Sequence, residues 1–255
     1  MTRAAAPPRL RATPAKALRA EWLKFSTLAS NPVSVFAAFA LIAVFAVLLV
    51  GARASESSTP TPTELLTGAS WAQMLLAVLA VVFACTEWSS GTGPTTFLAV
   101  PARWPVLAGK AVVMGVMAFL VGSLGAVAAL VAGAVGGAEI TGHAALAVRL
   151  VLGSGAYLAG IAVLAVAIGV IVRNLVAGIL VVIGFVWVVP LAVTLIPWDP
   201  VLRLVPYLPS PAGGVLIAAE SPAAALTPWG GAAVLAAWAV GALGIAGISL
   251  SRRDA

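Results

Sequence analysis

Residues 33–50 and 175–196 contain no ionisable side chain. Three further apolar runs, at about 69–85, 111–135 and 144–172, and a sixth from Trp229 to 250 carry almost none. A helix needs about 20 apolar residues to cross about 30 Å of hydrocarbon. Only helices and closed barrels satisfy their own peptide groups there. With 62% hydrophobic and 9% charged residues and a mean hydropathy of +1.12, a water-soluble globule would lack the polar surface to cover itself. The expected fold is an all-α membrane protein with six transmembrane helices.

The totals exclude several chemistries. The 255 residues suit one membrane domain with no second, soluble one. A lone cysteine, Cys85, rules out an internal disulfide, and with the single histidine, His143, it falls short of a zinc ligand set. No metal site is expected. The net charge of +6 sits in short clusters beside the apolar runs, so it is topology information and does not predict nucleic-acid binding. Ala52-Arg53-Ala54 imitates a signal-cleavage site. The run before it, however, exceeds the roughly 7–15 residues of a signal core, and six basic side chains precede that run. It reads as a retained span.

Residues 1–13 read as a flexible cytoplasmic tail rich in Ala, Pro and Arg. Within 14–31, Leu18, Trp22, Phe25 and Ala29 recur at helical spacing among Lys16, Arg19 and Lys24, predicting an amphipathic helix in the headgroup region. Asn31-Pro32 predicts a break before the six-span domain, 32–250. Residues 86–105 form a polar connection between spans two and three. Arg149, in the first turns of span four, is expected to snorkel to the interface, and Arg173-Asn174 makes a minimal turn. Residues 197–228 open on Pro197 and are broken by Pro200, Pro206, Pro209, Pro211, Pro222 and Pro228. They hold an apolar run too short to cross, which predicts an extracellular re-entrant hairpin before the last span.

Six spans put both termini on one side. Arg3, Arg9, Arg11, Lys16, Arg19, Lys24, Arg103, Lys110, Arg173, Arg252 and Arg253 then share it, against Arg53, Arg149 and Arg203 opposite. This asymmetry assigns the shared side to the cytoplasm of a multi-pass cell-membrane protein.

No catalytic site is expected. Gly109-Lys110 lacks the glycine five residues earlier that a phosphate-cradling loop requires. Gly153-Ser154-Gly155 and His143 lie across a boundary from each other, too far apart for a nucleophile and its base. Ion-coupled carriers hold a charge near the membrane centre, and this chain has none there. Gln73 and Thr194 are among the few polar side chains available to a path. Their simpler role is helix–helix hydrogen bonding.

The most specific segment is Thr86-Glu87-Trp88-Ser89-Ser90-Gly91-Thr92-Gly93-Pro94-Thr95-Thr96-Phe97-Leu98-Ala99-Val100-Pro101-Ala102-Arg103. An acidic–aromatic pair ends a span, a turn follows, and a short apolar helix stops at Pro101. This resembles the cytoplasmic loop of permease subunits in the type-2 ABC exporter family, through Glu87, Trp88, Gly91, Thr92, Leu98, Pro101, Arg103 and Lys110. Glu21-Trp22-Leu23-Lys24 is similar to that family's entry helix. Thr92-Gly93-Pro94 departs from the uninterrupted helical stretch that is more usual there.

The resemblance implies a permease subunit of an ATP-driven exporter for a hydrophobic or amphipathic substrate. It would pair with a second permease, as a homo- or heterodimer, and with ATP-binding subunits. Glu87, Trp88, Gly91, Thr92, Phe97, Leu98, Val100, Pro101 and Arg103 would couple it to the ATPase. Glu21, Trp22 and Lys24 would belong to the interfacial helix, and Gln73 and Thr194 to the path. This chain would bind no cofactor itself, with ATP and Mg2+ on the partner subunit. The alternative is a membrane scaffold or assembly subunit without a transport path.

The charge asymmetry makes a direct prediction. A cysteine introduced within residues 55–63, in a chain lacking Cys85, is expected to react with an impermeant maleimide added to intact cells, while tags at both termini stay protected. Labelling of either terminus from outside would overturn the six-span topology.

Overall fold

A computed structural model describes residues 14–89, 104–138, 144–196, 198–219 and 226–252. The tail 1–13, residues 90–103 of the connection between spans two and three, and residues 220–225 before the last span lie outside the described residues. Every described element is helical, and six helices are long and apolar enough to cross a bilayer. This is a multi-pass membrane protein. The elements are α1 (Pro14–Thr27), α2 (Ser30–Ser55), α3 (Pro62–Leu65), α4 (Thr67–Ser89), α5 (Trp104–Val135) and α6 (Ala144–Val172). They continue with α7 (Leu175–Ile183), a π-helical turn (Gly184–Val188), α8 (Val189–Thr194), α9 (Asp199–Leu202), α10 (Pro209–Ile217) and α11 (Pro228–Arg252).

The break between α1 and α2 falls at Leu28 and Ala29, before the predicted Asn31-Pro32. Pro32 lies in the first turn of α2, where its missing N–H has no intrahelical partner to lose. The Asn31 amide folds back and donates to the Phe25 carbonyl at 2.9 Å, satisfying an end group of α1. Asn31-Pro32 therefore begins a helix here.

The helices beside the undescribed connection are longer than their apolar runs. α4 continues to Ser89, and α5 starts at Trp104, seven residues before the predicted span, with Pro105 in its first turn. At 1.5 Å per residue, the 32 residues of α5 extend about 48 Å, well past the hydrocarbon. Span five is interrupted. Pro190 has no N–H for the carbonyl four residues back, and the π-helical turn from Gly184 to Val188 directly precedes it and takes up the mismatch.

The centre of the bundle is α6, which packs on α4, α5, α7, α10 and α11. Within their most apolar windows, 67% of the residues of α6 and of the α3–α4 segment are buried, against 17% for α2 and for span five. Lipid tails are as apolar as leucine, so close approach and interhelical polar contacts hold such helices together. A side chain at Gly122 of α5 would run into the Ser154 carbonyl of α6, which is why these two backbones can touch.

α10 uses the same device against the other side of α6. Gly153 meets the Leu216 carbonyl with no room for a Cβ. Arg149, half-buried in the first turns of α6, finds its partners at the end of α10. Its guanidinium donates to the Ala218 and Ala219 carbonyls at 2.7 and 3.0 Å, capping the end of α10, and the Ala219 N–H donates to Thr63 at 2.7 Å. The other end of α10, at Ser210, meets Tyr157. Tyr157 lies eight positions along α6 from Arg149, about 12 Å of helix. α10 thus runs alongside α6 from Tyr157 to Arg149.

The Gly153 contact yields a test. Gly153→Val drives a branched side chain into a backbone carbonyl that cannot move without shifting α10. A loss of about 1–3 kcal/mol is expected. It is read as a lowered unfolding midpoint in detergent and faster proteolysis within 199–208. Gly241, which has open space where its Cβ would be, is the control, and Gly241→Ala should leave the midpoint unchanged or higher.

Candidate functional site

Two polar assemblies interrupt the apolar bundle, one at each end of α4. The first lies at the end of the bundle that carries the termini. Glu21 of α1 is buried at 2% exposure and Lys110 of α5 at 1%. The Lys110 ammonium lies 2.9 Å from one Glu21 oxygen, a charge contact off the axis of an aligned hydrogen bond. Lys24, half exposed, donates to the other oxygen at 2.7 Å. Lys110 also stands 4.7 Å from the centre of the Phe83 ring and 3.5 Å from the Phe83 carbonyl. Phe25 of α1 meets that ring edge-on, with centroids 5.5 Å apart.

Each contact has a cause in the sequence. Glu21, Lys24 and Phe25 fall within one turn and a half of each other, so they share a face of α1. A charge removed from water is tolerated only when paired, and here carboxylate, ammonium and ring quadrupole meet in one place. The assembly joins three helices: α1, the end of α4 and the start of α5.

Trp22 is placed differently. It is 47% exposed, stacks on Phe25 at 6.3 Å, and lines an apolar groove of about 460 Å³ between α1, α2 and α5, together with Phe36 and Leu124.

The second assembly lies toward the other end of α4. The Gln73 amide, buried at 2% exposure, and the Ser210 hydroxyl lie at hydrogen-bond distance, 3.0 Å from the amide nitrogen and 3.1 Å from its oxygen. Tyr157 of α6 reaches Ser210 at 3.3 Å and also bonds Ser70. Three helices, α4, α6 and α10, are thereby pinned at one point. Ser70 and Gln73 are three residues apart on α4 and share a face.

A cavity of about 440 Å³ opens beside these groups. Ser70, Gln73, Tyr157 and Ser210 line it on one side. Span five faces them with Trp187, Pro190 and Thr194, which recur at i, i+3 and i+7. Gln73 and Thr194, named separately from the sequence, thus line one cavity. Among the described residues Thr194 bonds only within its own turn: its hydroxyl donates to the Leu191 carbonyl at 2.7 Å. At the rim, Trp71 sits between Trp187, with centroids 4.9 Å apart, and Phe45 at 6.5 Å.

Other sequence candidates are placed as follows. Glu87 and Trp88 fall in the last turn of α4. Gly91, Thr92, Phe97, Leu98, Val100, Pro101 and Arg103 lie outside the described residues, as does His143. The Ser154 hydroxyl is fully buried and donates to the Leu150 carbonyl at 2.8 Å, an ordinary bond within its own helix.

Sequence reasoning passed over three groups. Tyr157 is one of two tyrosines in the chain and lies inside an apolar span. A buried phenol needs a partner, and that requirement was its signal. Ser70, at i−3 from Gln73, carried the same signal. Ser210 carried none, because only the fold brings it 137 positions back to Gln73. The chain matches no model of a known protein family, and no curated protein matches it.

The ion pair makes the third prediction. Lys110→Met leaves the buried carboxylate with half-exposed Lys24, and Glu21→Gln withdraws the charge facing Lys110. Each single change is expected to cost about 3–5 kcal/mol, as breaking a buried pair does. The double variant should cost less than the sum of the two by about 0.5–3 kcal/mol. Unfolding midpoints of the four proteins in detergent measure the cycle. Additive losses would mean that the two charges do not act on each other.

Proposed function

We propose that this chain is the membrane permease subunit of an ATP-driven exporter of the type-2 ABC kind, moving a hydrophobic or amphipathic substrate out of the cell. It works with separate ATP-binding subunits, which carry ATP and Mg2+, and with a second permease subunit, in the cell membrane with both termini cytoplasmic. The observation that carries this reading is the clamp formed by Glu21, Lys110, Phe25 and Phe83. It fastens α1 to the two helices from which residues 90–103 emerge.

A force on that connection is delivered to α4, α5 and α1 together. Apolar packing alone would let helices slide in lipid, whereas a buried charge pair resists displacement because separation leaves unpaired charges. The lever therefore moves as one piece. Its far end bears Ser70 and Gln73, which border the cavity faced by the interrupted span five. The bend allowed by the π-helical turn and Pro190 gives that span a place to yield. A scaffold subunit would need neither a cavity nor an interrupted span.

The coupling role rests on Phe97, Leu98 and Val100 docking in a groove of the ATPase subunit. Each large apolar side chain fully buried there contributes about 1.5–3 kcal/mol. Replacing both Phe97 and Leu98 by Ser should therefore weaken association by about two to four orders of magnitude. Pull-down of the ATP-binding subunit, with substrate-stimulated ATP hydrolysis alongside, is the measurement. Unchanged capture and turnover would remove the coupling role from this segment.

A further inference from the structure

We propose that the cavity between α4, α6, α10 and span five binds one uncharged amphipathic molecule. Its hydroxyl or carbonyl would be held at Gln73 and its apolar body would lie against Trp187 and Pro190. The proposal rests on the export reading for the fate of that molecule, though not for its binding.

The size is right: about 440 Å³ lies within the roughly 300–1,000 Å³ typical of small-molecule sites. The walls are divided. Hydroxyls and an amide cover the side made by Ser70, Gln73, Tyr157 and Ser210, while span five offers Val186, Trp187, Pro190 and Leu191. Thr194 adds little polarity to that second wall, since its hydroxyl is already bonded to Leu191. A molecule with a polar head and an apolar body has one orientation in such a space.

Gln73 has bonding capacity left over. A carboxamide has two donors and two acceptor sites. Ser210 brings a single hydroxyl, which also meets Tyr157. That hydroxyl cannot fill the amide's four positions. A buried amide in this position gains from a head group that both accepts and donates.

Charge is the discriminating property. None of the residues lining the cavity carries a charge. A carboxylate or a quaternary ammonium entering it would give up its hydration without a counter-ion, and an alcohol would not. Neutral head groups should therefore be selected over either sign.

The test uses the full chain alone in phosphatidylcholine nanodiscs, with tryptophan fluorescence as the readout. The probes are a bromine-tagged fatty alcohol and the carboxylate and trimethylammonium compounds of the same chain length. Bromine quenches a ring it touches. The alcohol should quench saturably, and the charged probes should bind at least about tenfold more weakly. Trp187→Phe should remove most of the saturable signal. Gln73→Leu should weaken the alcohol about three- to tenfold, the worth of one neutral hydrogen bond. Gln73→Glu should turn the preference toward the ammonium probe.

Quenching that never saturates, or is equal for the three head groups on the unaltered chain, would overturn the proposal, whether or not a Gln73 variant folds. So would saturable quenching that survives Trp187→Phe combined with Trp71→Phe, since Trp71 stands 4.9 Å from Trp187 at the rim. No ATPase enters the measurement, so the two readings fail separately. Selective binding by a chain that captures no ATP-binding subunit would keep the site and lose the exporter. Capture without selective binding would do the reverse.

Discussion

Hydrocarbon gives a polar group no water to fall back on, so every polar group inside this bundle has to be satisfied by another part of the chain. The backbone meets that demand by being helical in every described span. Side chains meet it by being apolar almost everywhere. With the hydrophobic effect absent as a sorting force between helices, the relative placement of the spans falls to close contacts and to the few polar groups that remain. Gly122 against Ser154 and Gly153 against Leu216 are contacts of the first kind. They explain why α6, rich in Gly and Ala, is central, and why α2 and span five are peripheral.

Polar groups of the second kind are few and gathered. The Glu21–Lys110 pair and the Gln73–Ser210–Tyr157 cluster each join three helices, and each includes a side chain on α4 or a ring contact with it. Arg149 and Thr63 add a third fastening, at the end of α10. These are the points at which the bundle resists sliding, because each would leave buried groups unpaired if it opened. Between them the close backbone contacts at Gly122 and Gly153 complete the fastening.

The sequence made the spans legible because a run of uncharged apolar residues has few alternatives to crossing a bilayer. It made Gln73 and Thr194 legible as the polar exceptions in their spans. It did not disclose that both face one cavity, since that depends on how α4 and span five are rotated. Rotation is set by contacts with α6 and α10, and residue periods carry little of it when the whole helix is apolar. The partners of Arg149 were hidden for a related reason. Near a span end, a long cation can reach water or a carbonyl, and the carbonyls of Ala218 and Ala219 arrive only through the fold. Asn31-Pro32 was read as a break between two helices, and the break stands a few residues earlier, because proline suits a helix's first turn.

The two polar assemblies share α4, and that is where position at one end can become position at the other. Gln73 and Phe83 are ten residues apart, about 15 Å along one unbroken helix. A helix of that length transmits tilt without deforming, since bending it would stretch its own hydrogen bonds. Phe83 is held by Lys110 and Phe25, so α4 cannot tilt without carrying α1 and the start of α5. Gln73 is held by Ser210, so the same tilt strains α10, whose far end Arg149 fixes to α6. The compliant element opposite is span five, interrupted by its π-helical turn and by Pro190. The cavity therefore lies between one wall fastened at both ends, on α4, and one wall, span five, where the helix is interrupted.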